Sequence, residues 1–287
     1  MTDPGLWQHI ILSNGTVKLS LLPGIGGRVM NVHFRGEPLL FENPDSLEFQ
    51  PDLSDLSKVP TRAKHLPFPL WGGEKTWVAP ESGWPEAGPH PVLDSGPYEC
   101  LNLSDTKVRM TSGICPASGL QIVRTVALES EGTGWLVEHE MINCSKTDRY
   151  CGIWSVMMVL RPVRISCKVP GPDSCKVMMG NPGRAVTSST GHLSVDCVSA
   201  DEFKIGTHPA GRVAEIVLGG KTGTLTLTAE ASLLSDRQDY AHGHALEVYN
   251  SADYDYAELE WHAPARKLLP GETATFSVKY RIQETAP

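Results

Sequence analysis

Period-two alternation runs through most of the chain and constrains its fold more than any other feature. VKLSLL (17–22), QIVRTVAL (121–128), LVEHEMI (136–142), GTLTLTA (223–229), AELEW (257–261) and TFSVKYRI (275–282) set apolar residues largely at every second position. Successive side chains of an extended strand point to opposite faces, so such runs bury one face and wet the other. They are rich in Val, Thr, Leu and Tyr and are bounded by Gly, Pro, Asn and Ser, the punctuation of strands and turns. Long capped segments of 3.6-residue period are absent. The chain reads as all-β, built of many antiparallel strands.

Residues 43–98 break the pattern. They are dense in Pro, Gly and Trp and show almost no alternation. A long irregular stretch inside a compact domain is usually functional or disordered. Its tryptophans argue for order, because each is stabilised by burying a large area. We expect an ordered excursion across one sheet face. No linker, charge run or internal repeat divides the chain, so residues 1–287 read as a single β-sandwich domain.

Composition excludes several functions. Lys and Arg number 25 against 33 Asp and Glu, a net charge of −8. That balance leaves no basic surplus for a nucleic-acid backbone. No run approaches the ~18 apolar residues of a membrane helix. No export signal is visible at the N-terminus. The seven cysteines are odd in number and lack CxxC spacing, so they read as reduced thiols in a cytoplasmic protein. GGKT (219–222) lacks the upstream glycine of a phosphate loop and reads as a hairpin turn. Neither GxGxxG, GxSxG nor HExxH occurs. No cofactor and no bound metal is expected.

Two clusters could carry chemistry. PLWGGEKTWVAPESGWP (69–85) presents Trp71, Trp77 and Trp84 with Glu74, Lys75 and Glu81. Flat aromatic faces beside charged groups suit a sugar ring and its hydroxyls, although buried tryptophans holding down a loop would look the same. YAHGHALEVYNS (240–251) brings His242, His244 and Glu247 close in sequence. These could serve as a general acid and base, or as a two-His, one-carboxylate metal site. Glu247 sits between apolar residues, where an unpaired carboxylate is costly. Glu258 and Glu260 share one strand face, which reads as the wet side of a sheet. His208 follows Lys204 in a loop-like FKIGTHPAG (203–211). Arg28, after the LPGIGG turn (22–27), could clamp a hydroxyl or close a buried pair.

LPGIGGRVMNVHFRGEPLLFENP (22–44), GGEKTWVAPESGWP (72–85), FKIGTHPAG (203–211) and LEVYNSADYDYAELEWHAP with LLPGET (246–273) together resemble galactose mutarotase-like (aldose 1-epimerase-like) proteins. The resemblance implies a β-supersandwich with a concave sugar-binding face. It also implies a late glutamate that takes the anomeric proton and a histidine that protonates the ring oxygen. Glu247 matches the base best and Glu258 next. The family's strand histidine has no counterpart in INCSKTDRYCGIWSVMM (142–158), which carries Trp154 instead. The acid then falls to His208, His242 or His244. Arg28, the tryptophan segment, His242 and Glu258 would bind the ligand. The expected function is epimerase-like acid–base catalysis on a carbohydrate. The alternatives are a non-catalytic sugar-binding protein, and an acid–base lyase or cyclase acting on a non-sugar metabolite.

Overall fold

The computed structural model describes residues 7–285 except 51, 86–87 and 221–222. The protein is all-β, with two large antiparallel sheets. Across the first sheet the strands run Ile10–Ser13, Val17–Leu22, Arg28–Phe34, Glu74–Ala79, Arg149–Leu160, Tyr256–His262, Leu246–Asn250, Phe203–Thr207 and Cys175–Gly180. The second sheet runs from Val186–Ser189 through Val213–Gly220, Gly223–Ala231, Thr273–Thr285 and Gly134–Asn143 to Tyr98–Ser104. One apolar layer between the sheets takes side chains from both, among them Val29, Ile153, Met157 and Leu259 from the first and Ile122, Val137, Leu227 and Val278 from the second.

The alternating runs behave as their pattern dictates in the second sheet. In Gly223–Ala231, Leu225, Leu227, Ala229 and Ala231 point inward, while the intervening residues are half-buried or exposed. Gly220 pairs with Gly223 across the hairpin; the last two residues of GGKT, 221 and 222, lie outside the described residues. Among the described residues no helix is long and apolar enough to cross a membrane. The cysteines are free thiols.

The middle of the first sheet differs. Glu74–Ala79, Leu246–Asn250 and Tyr256–His262 are buried at every residue. Their outer face is covered by the proline-rich excursion. Val59 packs with Leu22, Met30 and Trp71, and Ala63 and Leu70 pack with Met158, Tyr249 and Tyr256. Phe68 and Trp84 lie against Trp77 and Trp154. The excursion is not wholly irregular, since Glu74–Ala79 is a strand in the middle of the sheet. A strand buried on both faces need not alternate, so EKTWVA carries no period-two signature.

Gly26 and Gly27 make the turn that delivers Arg28 to this face. Both have positive φ, 63° and 56°. A Cβ on Gly26 would lie 2.1 Å from the Asp94 carbonyl oxygen. Only glycine tolerates both conditions.

Candidate functional site

Register decides which side chains meet. Glu247 is paired with Glu260 on one side and Gly206 on the other. Trp154 is paired with His262 and Trp77, and Val156 with Glu260 and Lys75. Residues directly opposed in antiparallel strands project to the same face. Lys75, Trp77, Trp154, Lys204, Glu247, Glu258, Glu260 and His262 therefore share the outer face, beneath the excursion and the 236–245 segment.

Glu247 is the centre of this cluster and has no solvent exposure. His242 Nδ1 lies 3.1 Å from Oε1, and His244 Nδ1 lies 3.8 Å from the same oxygen. Lys204 Nζ is 2.8 Å from Oε2, and His262 Nε2 is 3.4 Å from it. The Lys204 ammonium also donates to Glu260 Oε2 at 2.9 Å, and that oxygen accepts the Trp154 indole N–H at 2.8 Å. Trp154 stacks on the His262 ring at 5.0 Å between centroids and lies 4.7 Å below Lys204 Nζ. Lys204 and His242 keep side-chain exposures of 14% and 11%, which puts them at the partly exposed edge of the cluster.

One ammonium thus serves two buried carboxylates, and their environments separate them. Burial alone would raise the Glu247 carboxyl, but the neighbouring His262, His242 and His244 outweigh it and hold the group far below the usual carboxylate range. For Glu260, burial wins over Lys204 and the carboxyl is pushed up to about 8. The two carboxyls are thus pushed in opposite directions, Glu247 toward the ionised form and Glu260 toward the protonated one. Burial tends to strip the Lys204 proton, but Glu260 and Glu247 raise its pKa above the ordinary value. Burial lowers His262, with Glu247 opposing.

A second group continues along the same face. Lys75 Nζ lies 3.5 Å from Glu258 Oε1 and 3.8 Å from the centre of the Trp77 ring. The Trp77 indole donates to Asp94 Oδ1 at 2.7 Å, and Arg28 pairs with the same oxygen at 2.7 Å. Trp84 stacks on Trp154, with centroids 5.7 Å apart, and meets Trp77 edge-on.

The structure brings Glu247, His242 and His244 together, and sets Glu258, Lys75, Trp77, Trp84 and Arg28 further along the same surface. Trp71 is fully buried and donates to Ser95 Oγ at 2.9 Å, which makes it an anchor of the excursion. Glu74 points the other way, between the sheets, where it pairs with Arg124. Glu81 is exposed in a short turn. His208 stands apart, edge-on to Tyr240 at 5.5 Å. The expected wet side is corrected: Glu258 is 6% exposed and Glu260 not at all, because the excursion covers them. Sequence reasoning passed over His262, although it continues the 258, 260, 262 alternation, and it placed no role on Lys204, Trp154 or Glu260.

No protein-family profile matches the sequence, and no curated protein does. Solved structures do. The galactose mutarotase-like protein from Clostridium acetobutylicum is 15% identical, with a TM-score of 0.61 over 97% of this chain and 96% of its own. A galactose mutarotase-like protein from Lactobacillus casei is 9% identical, with a TM-score of 0.61 over 96% of this chain and 100% of its own. A galactose mutarotase related enzyme from Lactobacillus acidophilus is 9% identical, with a TM-score of 0.61 over 97% and 98%. The chain therefore has the galactose mutarotase-like fold. At these identities the likeness speaks for the fold alone.

Proposed function

We propose that the protein is a carbohydrate epimerase-like enzyme that interconverts anomers or epimers of a sugar by acid–base chemistry. The observation that carries this reading is Glu247, a carboxylate with no solvent exposure, ringed by three histidines and a lysine on one sheet face. Two carboxylates whose environments push their proton affinities apart mark an acid–base assignment. In this reading Glu247 accepts the proton of the anomeric hydroxyl, and His242, at the partly exposed edge, gives a proton to the ring oxygen. A ligand hydroxyl replacing His242 at Oε1 removes one of the bonds that depress Glu247 and so raises its basicity. Trp84, half-buried at the edge of the aromatic cluster, offers a ring for the sugar's C–H face, and Lys204 offers a donor for its hydroxyls.

Trp154, standing in the stretch where the resemblance implies a proton-donating histidine, favours a second reading, a carbohydrate-binding protein that performs no chemistry. NMR exchange of fresh α-anomers of aldoses and their 6-phosphates separates the two. Accelerated interconversion that falls by roughly 10²–10⁴-fold in Glu247→Gln supports catalysis. Saturable binding without acceleration supports the second reading, and full activity in Glu247→Gln removes this residue from the chemistry.

A further inference from the structure

We infer that His242, Glu247 and His262 form a binding site for one divalent transition-metal ion of the zinc class. The inference does not rest on the sugar reading: an ion bound by Glu247 and His242 would occupy the groups that reading uses to move protons, so the two describe alternative states of one site. One candidate ligand atom from each residue falls within 4.8 Å of the other two. Metal–ligand bonds of ~2.0–2.2 Å place two ligands of a tetrahedral zinc ion ~3.3–3.6 Å apart. His242 Nδ1 stands 3.1 Å from Glu247 Oε1 and His262 Nε2 3.4 Å from Oε2, so each imidazole already lies at about ligand–ligand spacing from one carboxylate oxygen.

The second, independent observation is a set of unused ring nitrogens. His262 is 1% exposed, yet neither of its nitrogens has a hydrogen-bond partner, and His242 Nε2 is also buried and unpartnered. Buried polar atoms are ordinarily satisfied. A histidine nitrogen directed at a carboxylate that already holds an ammonium is better placed to ligate than to donate. Two imidazoles and one carboxylate select borderline ions such as zinc, cobalt or nickel over calcium and magnesium, which prefer all-oxygen sites. His244 supplied the second histidine of the metal alternative read from the sequence. Its Nδ1, 3.8 Å from Glu247, is further away, and the His244 ring packs over Gly206, which leaves the ligand place to His262.

Lys204 is no obstacle. It shares its ammonium between Glu247 Oε2 and Glu260 Oε2, so an ion bound at Glu247 leaves the lysine a carboxylate on the adjoining strand. Three protein ligands leave a fourth position for water or a ligand oxygen, as in open zinc sites.

The experiment uses full-length untagged protein, stripped with a chelator and titrated with Zn(II) alone by calorimetry, with thermal melts in parallel. One equivalent per chain and a raised melting temperature are expected, with excess Mg(II) failing to compete. His242→Gln and His262→Gln should each weaken binding by more than the roughly 10–100-fold that removing a ligand's outer partner costs. The exposed His192→Gln should bind as the parent does. Should His262→Gln not fold, His242→Gln carries the comparison, because His242 sits on a partly exposed turn. Absence of a Zn(II) heat and of a melting shift in the parent protein overturns the site, as does undiminished affinity in His242→Gln. No sugar is present, so failure of the epimerase reading leaves this result unaffected.

Discussion

Two carboxylates in register across adjoining strands, Glu247 and Glu260, are pushed in opposite directions because their neighbours differ. Glu247 has three histidines and an ammonium; Glu260 has the ammonium and an indole. The same logic applies to Cys115. Burial pushes its thiol up, but bonds involving His90 and Ser118 outweigh burial and bring it down to about 6. A lowered acid stabilises the fold above its unfolded value, ~8.5 for a cysteine, and that contribution is lost as pH falls through the folded value. The gap in urea midpoint between the parent and Cys115→Ser should therefore widen from pH 5 to pH 9; a gap that is flat or narrows rejects a native thiolate. At this scale Glu247, His242 and His244 were legible, since a carboxylate between apolar residues is costly unless partnered. Lys204 and Trp154 were not, because their partners lie about 40 to 110 positions away and only strand register joins them.

Strands place these residues, and one glycine shows how tightly. A Cβ on Gly206 would lie 2.5 Å from the His244 ring. Its backbone is not in the left-handed region, so the conflict is steric alone. Overpacking of this kind typically costs ~1–3 kcal/mol. Gly206→Ala should lower the urea midpoint accordingly, and adding His244→Ala should restore much of the loss; independent, additive losses would mean that the two do not touch. The excursion gives a second case. Trp71 is fully buried with its indole bonded to Ser95, so Trp71→Ala should destabilise by about 3–5 kcal/mol, as for other buried large-to-small changes. If denaturant unfolding shows no such loss, Trp71 is not the anchor described above. The outer strands were legible from their period. Glu74–Ala79 was not, because burial on both faces erases the alternation. Tyr256–His262 keeps its alternation although it is buried on both faces, so its polar face read as solvated.

At the scale of the whole molecule, the two sheets are joined by a charge pair as well as by their apolar layer. Arg124 from the second sheet and Glu74 from the first are both fully buried, and the guanidinium also donates to the Gly27 and Glu74 carbonyl oxygens. Removing one partner of such a pair strands the other, at a cost of about 3–5 kcal/mol, whereas replacing both by apolar residues is often neutral. Arg124→Met should be far less stable than Arg124→Met combined with Glu74→Met, as measured by denaturant unfolding. Equal losses would show that the carbonyl bonds, not the ion pair, matter here. The all-β class was legible from periodicity, but the pairing of these two residues depends on how the sheets face each other, which no local pattern encodes.

The excursion and the 236–245 segment close over a carboxylate with no solvent exposure. Any molecule that reaches Glu247 must therefore wait for the cover to open. Association then becomes a two-step event, and its observed rate constant should level off as ligand is raised, at a ceiling set by the opening of the protein rather than by collision. Trimming the phenyl group of Phe68, which packs against the Trp77–Trp154 cluster, should lift that ceiling, whatever ligand is used to measure it.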